Sequence, residues 1–296
     1  MDIIDSQVHI WDSNASQRVP NDDPRRSILM ALLARPVTAE VQLAAMDAVG
    51  VEATVANIPR SVYRRRRDDG CFEYDNGYAD EAARRHPGRL YSVAWVDATA
   101  PDVDDSLASL QERPGMVGIR QRVAAGDGLA ELSEGSWDRF FKCAGRLELP
   151  VFLVAEGSLE ALHPVIHRFP DVQFVIDHFG LPVPHLRPVE SGSPFDQLPS
   201  LLALAQHTNV AVKWGGAQRL SAAPYPYVDL WPHLRKVVAA FGVDRLMFAS
   251  DWTVTRDQHS YAEAVFHLRE TNELSVSEKR KIFAGTARRL LRLDGS

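Results

Sequence analysis

Leu246-Met247-Phe248-Ala249-Ser250-Asp251-Trp252 is a short apolar run that ends on residues able to do chemistry. The same grammar governs Phe174-Val175-Ile176-Asp177-His178-Phe179-Gly180, and again at the start, where Asp2-Ile3-Ile4-Asp5 leads into Gln7-Val8-His9. Working outward, further runs lie at 53–58, 90–96, 116–120, 151–155 and 210–214, which makes eight with 2–5, 173–177 and 246–250. Most are short, apolar and unalternating, as strands buried on both faces should be. Between them lie amphipathic stretches, at 39–49, 103–110, 137–147, 159–169, 198–206, 230–241 and 261–270, whose apolar residues recur at helical spacing. Leu149-Pro150, Phe169-Pro170-Asp171 and Thr208-Asn209 each close a helix just before the next strand. Ser277 is the expected N-cap of a final helix with Ile282, Phe283, Ala287, Leu290 and Leu291 on its buried stripe.

Strict strand–helix alternation with turns this short implies right-handed crossovers and a parallel sheet. Eight repeats favour closure into an α/β (β/α)8 TIM barrel, with residues 1–296 forming one domain. Such a barrel carries its site at the C-terminal ends of the strands. Three long segments, 11–36, 60–75 and the proline-rich 181–199, all follow strand ends, where long loops act as lids or pocket walls. The second contains Arg64-Arg65-Arg66-Arg67-Asp68-Asp69, read either as a solvated loop or as a positive collar that draws in an anionic small-molecule substrate.

Composition narrows the class. Apolar residues make up 45 % and charged residues 24 % of the 296-residue chain, ordinary for a well-cored globular protein. The net charge of −6 argues against a nucleic-acid partner, because phosphate binding needs a basic face. Two distant cysteines, Cys71 and Cys143, offer neither a disulfide framework nor a thiolate zinc motif, so a reducing cytoplasm is the expected location. The N-terminus has no signal-peptide pattern, and no apolar stretch is long enough to cross a membrane. Exposed barrel helices commonly pair, so a homodimer is the assembly to look for.

The strand ends supply the candidate site. Asp251, after the eighth run, is costly at an apolar barrel mouth unless it is paired or used. It reads as a general base for water, against the alternative of capping the amides of Thr253 or Val254. His178 is followed by Gly180, where a sharp turn would expose the imidazole to orient a carbonyl, serve an oxyanion or bind metal. The alternative is a core histidine bonded to Asp177 or to a carbonyl. Gln7 and His9 share one strand face. A His-x-His pair there would signal zinc, but Gln7 is a poor zinc ligand and a good hydrogen-bond partner. Arg120 and Arg122 leave the fourth strand in the same phase; their guanidinium forks suit a substrate carboxylate or an oxyanion, against a salt bridge to Glu131 or Asp127. Lys213 either faces the barrel mouth or snorkels outward. Glu156 is a weaker candidate of the same kind, and Trp252, Trp11 and Tyr63 could wall the pocket or simply pack.

Five segments carry a family resemblance: Ile4-Asp5-Ser6-Gln7-Val8-His9-Ile10-Trp11, Gly118-Ile119-Arg120, Val175-Ile176-Asp177-His178-Phe179-Gly180-Leu181-Pro182, Val212-Lys213-Trp214-Gly215-Gly216 and Phe248-Ala249-Ser250-Asp251-Trp252. Together they resemble the amidohydrolase-2 family, in its lactonase branch, over nearly the full length. The resemblance implies a (β/α)8 hydrolase of small cyclic esters that carry carboxylates or sugar-acid groups. It implies that Asp251 activates water, that His9 and His178 surround the scissile carbonyl, and that Arg120 holds substrate. Gln7 departs from the family's His-x-His, so hydrolysis without a metal is expected. The alternative is one divalent ion, zinc, on His9, His178 and Asp251. A metal-dependent decarboxylase of an aromatic acid and a non-catalytic small-molecule binder are the competing readings.

Overall fold

A computed structural model describes residues 1–126, 128–182 and 193–293. Ten strands occur among them: β1 (Ile4–His9), β2 (Ala53–Asn57), β3 (Arg64–Arg66), β4 (Phe72–Tyr74), β5 (Leu90–Trp95), β6 (Met116–Arg122), β7 (Val151–Val154), β8 (Phe174–Ile176), β9 (Val210–Gly215) and β10 (Leu246–Ala249). Eight form one sheet in the order β1-β2-β5-β6-β7-β8-β9-β10, every neighbour parallel. Helices such as Ala39–Val49, Val103–Gln111, Asp138–Arg146, Leu159–Arg168, Trp231–Phe241 and Tyr261–Arg269 separate the strands. This is the (β/α)8 barrel, with the aromatic layer Phe140, Phe141 and Phe174 filling part of the space between strands and helices.

β1 and β10 close the cylinder through individual bonds instead of a regular ladder. The Asp251 amide donates to the Gln7 carbonyl at 3.0 Å, and the Ser6 hydroxyl to the Phe248 carbonyl at 2.7 Å. The Asp5 carboxylate accepts from the amide and hydroxyl of Ser250 and from the amide of Gln7. A register shift between Asp5 and Val8 makes this geometry. One extra residue on β1 lets Ile4 join the barrel interior while Asp5 turns into the seam and Gln7 and His9 turn inward. The interior below the site is apolar: Ile4, Val55, Val93, Phe152, Val175, Ala211 and Met247 gather in one cluster.

Local boundaries differ from the sequence reading in informative ways. β6 extends to Arg122, while β8 stops at Ile176, because His178 and Phe179 adopt left-handed backbone angles in a tight turn. The segment 60–75 contains the β3–β4 hairpin, and 11–36 contains the helix Arg26–Leu33. Much of 181–199, namely 183–192, lies outside the described residues. The final N-cap is Ser275 and not Ser277. Ser275 accepts from the Glu278 amide, and the Glu278 carboxylate accepts from the Ser275 amide. That reciprocal capping box satisfies two otherwise orphaned donors, which Ser277, one turn-position inside, cannot do. Ser275→Ala is therefore expected to cost about 1 kcal/mol. A thermal melt that shifts down for Ser275→Ala and stays put for Ser277→Ala bears this out; equal shifts would refute it.

Candidate active site

The deepest part of the site is a buried layer of ions and amides. Asp177, fully buried, lies 3.0 Å from the Lys213 ammonium and accepts from Arg120 Nε at 2.7 Å. Lys213 neither reaches the mouth nor snorkels out: it is 1 % exposed, sits 4.3 Å above the Phe152 ring, and donates to Gln7 Oε1 at 2.9 Å. Burial alone would raise the Asp177 carboxyl, but Lys213 and Arg120 hold it far below the usual range. Burial brings Lys213 down to about 8, opposed by Asp177. Arg120 also donates to Asn57 Oδ1 at 3.0 Å, packs 5.2 Å from the Trp95 ring, and approaches His9 Nε2 to 3.4 Å. Its charge is thus engaged with Asp177, beneath the mouth.

The amide of Gln7 passes this order upward. An ammonium can only donate, so the Gln7 end facing Lys213 must be the carbonyl oxygen. The NH2 end then faces His178 Nε2, 2.9 Å away. His178 Nε2 therefore accepts, and its proton resides on Nδ1, which lies against Gly215 and Gly216. A Cβ on Gly215 would come within 3.3 Å of that nitrogen, so the glycine pair makes room for the ring. Gly180, at φ +62, has the same kind of role: a Cβ there would collide with Leu159. His178 is bonded to Gln7, not to Asp177.

At the top sits Asp251. Its backbone is left-handed, with φ 52, and its side chain caps nothing. Oδ2 accepts from Arg219 Nη2 at 2.9 Å and lies 3.6 Å from His178 Nε2; Oδ1 lies 3.5 Å from His9 Nε2. Oδ1 is buried and has no hydrogen-bond partner among the described residues. Burial would raise this carboxyl, but the two imidazoles, Arg219 and Arg120 outweigh it and bring it to about 2. Burial lowers His9 to about 4, against the pull of Asp251, and lowers His178 as well. Both rings are neutral at pH 7, so the guanidiniums keep Asp251 ionised there. His9 is further anchored by its amide, which donates to Thr253 Oγ1 at 2.9 Å.

The structure thus brings Asp251, His178, His9, Gln7, Arg120 and Lys213 together. Arg122 joins the rim, paired with Glu156 at 3.2 Å instead of with Glu131; Asp127 lies outside the described residues. Trp252 does not join: its indole donates to Gln42 and its ring stacks on Tyr261. Trp11 and Tyr63 are buried and packed against Arg256 and Arg18. The arginine run is largely answered locally, Arg65 by Glu73 and Arg67 by Asp69 and Asp102, while Arg64 lies over Phe72. The sequence reading missed Arg219, four residues beyond Gly215 on the β9 rim, and the roles of Asn57, Asp177 and Asp5. An arginine placed soon after a strand-end glycine pair was the available signal.

The donor set fits a metal poorly. Gln7's only ligating atom faces Lys213, its NH2 end occupies the His178 Nε2 lone pair, and Arg219 and Arg120 crowd the remaining donors with positive charge. Among the described residues no group of three or more His, Cys, Asp or Glu is arranged to hold an ion.

Protonation gives a test of this electrostatic description. His9 titrates near 6.5 unfolded and about 4 folded. The unfolded chain therefore binds the extra proton first. The stability that neutral His9 contributes is complete above about 6.5 and lost as pH falls toward about 4. Asp5, raised by burial to about 6, works in the opposite sense across part of that window, but it is common to parent and variant. Between these limits the melting temperature of the parent should fall more steeply than that of His9→Asn. Parallel curves would contradict the neutral, buried assignment.

Comparisons with known proteins place the chain in a family. The family model described as "Amidohydrolase" matches residues 4–293. The L-fucono-1,5-lactonase of Burkholderia ambifaria is 29 % identical over 74 % of this chain and 76 % of that protein. The 4-sulfomuconolactone hydrolase of Rhizobium radiobacter is 27 % identical over 72 % and 65 % respectively. A solved amidohydrolase from Burkholderia multivorans with bound zinc shares the fold, with a TM-score of 0.78 at 22 % identity over 99 % of both chains. The chain belongs to the amidohydrolase family, a family in which both of these curated relatives are named for lactones.

Proposed function

We propose that the protein opens a small lactone to its hydroxy acid, with Asp251 as the base and no metal in the reaction. The observation that carries the reading is Asp251 Oδ1: a buried, ionised carboxylate oxygen, unpartnered among the described residues, beside two neutral imidazoles. That oxygen can accept a proton from a water positioned against it. The water oxygen attacks the acyl carbon as its proton passes to Asp251. Negative charge then gathers on the carbonyl oxygen just as protonation of Asp251 releases the charge of its buried partner Arg219. The acyl–oxygen ring bond breaks, and the proton held by Asp251 goes to the departing ring oxygen. Water has been added across one bond and Asp251 is ionised again.

Kept ionised by Arg219, Asp251 is a weak base but, once protonated, a strong acid. The burden of the first step therefore falls on polarising the carbonyl, a task the charge of Arg219 would serve as Asp251 takes its proton. The similarity to two curated lactone hydrolases supports the bond type.

Asp251→Asn keeps shape and removes the base. Lactone turnover should fall by about 10²–10⁴-fold with the fold retained, and parent activity should survive a strong chelator. Full activity of the Asn variant across a lactone panel would remove Asp251 from its role. Loss of activity on chelation, restored by zinc, would show that the reaction depends on metal.

A further inference from the structure

Among the described residues, Glu156 is a carboxylate at the barrel rim that the hydrolytic steps leave unused. It follows β7 in the phase that points inward, as Phe152 and Arg120 do on their own strands, and its side chain is nine-tenths buried. Oε2 accepts from Arg122 Nη2 at 3.2 Å. Oε1 is buried and has no hydrogen-bond partner among the described residues. Glu156 is also near enough to Arg219, the partner of Asp251, to help sustain that guanidinium's charge. One substrate could therefore span both carboxylates. A buried carboxylate oxygen without a donor carries a desolvation cost that a bound hydroxyl would relieve and a second anion would aggravate. The neighbouring cations do not reverse this, since Arg120, Arg122 and Arg219 each already face a carboxylate.

We propose that Glu156 is a specificity-determining residue that accepts a hydrogen bond from a substrate hydroxyl, so that the site takes an uncharged, polyhydroxylated lactone. This rests on the lactone-opening reading and extends it to the substrate's chemistry. Arg122 holds the carboxylate in place, leaving Oε1 turned to the ligand. A carboxylated or sulfonated lactone would set like charges together at this point.

The test compares parent and Glu156→Gln on three probes: a set of aldono-1,5-lactones differing in hydroxyl configuration, unsubstituted δ-valerolactone, and a carboxylated γ-lactone. In parallel, calorimetry measures binding of polyhydroxylated lactams, which resist hydrolysis. The parent should prefer at least one aldonolactone over both other probes. Glu156→Gln should lose about tenfold or more in kcat/KM for it, mainly through KM. The variant should affect δ-valerolactone far less than the aldonolactone and improve the carboxylated probe. A parent that prefers the carboxylated lactone, or a variant that affects every probe alike, overturns the assignment of Glu156 while leaving lactone opening intact. A parent that opens no lactone but binds a lactam, with affinity lost in Glu156→Gln, overturns lactone opening and keeps the hydroxyl contact. Neither turnover nor binding overturns both.

Discussion

Everything at the mouth of this barrel depends on Asp177 being held between Lys213 and Arg120. Three buried charges are stable only as a set, because removing one leaves its partners desolvated and uncompensated. The set determines orientation. Lys213 dictates which end of the Gln7 amide faces upward; that end dictates which nitrogen of His178 carries hydrogen. Arg120 reaches the other imidazole directly. A strand-interior lysine and its aspartate partner thereby set the orientation of Gln7 and His178 above them.

The seam between β1 and β10 provides the second support. Asp5 ties the amides of Gln7 and Ser250 to one carboxylate, so the residue beside each end of the site is clamped from behind. Burial raises this carboxyl to about 6 even though those bonds favour its charge. Gln7, His9, Arg120 and Lys213 stand on strands, whose positions the barrel itself makes rigid.

The eight strands, their parallel order and the gathering of Asp251, His178 and His9 were legible from short apolar runs ending in polar residues. Local phase errors were not. The extra residue in β1 turns Asp5 into the seam although it shares odd-numbered parity with Gln7 and His9, and no composition cue marks it. Lys213 left two directions open because strand parity near a glycine pair says little about which side is buried. Arg219 escaped notice because a 3₁₀ turn at Ala217–Leu220, not a strand, carries it inward. Trp252 looked like a pocket wall from its place beside Asp251, but a left-handed residue before it swings the indole toward Gln42.

Three non-glycine residues around the reacting groups, His178, Phe179 and Asp251, have positive φ. Each such conformation costs about 1–3 kcal/mol, so the native barrel is less robust than its packing would allow. Screening libraries solely for heat tolerance would reward glycine or asparagine at these places and steadily erode the chemistry. Any programme to harden this protein should hold the three positions constant and look for its gains in the helices on the far side of the strands.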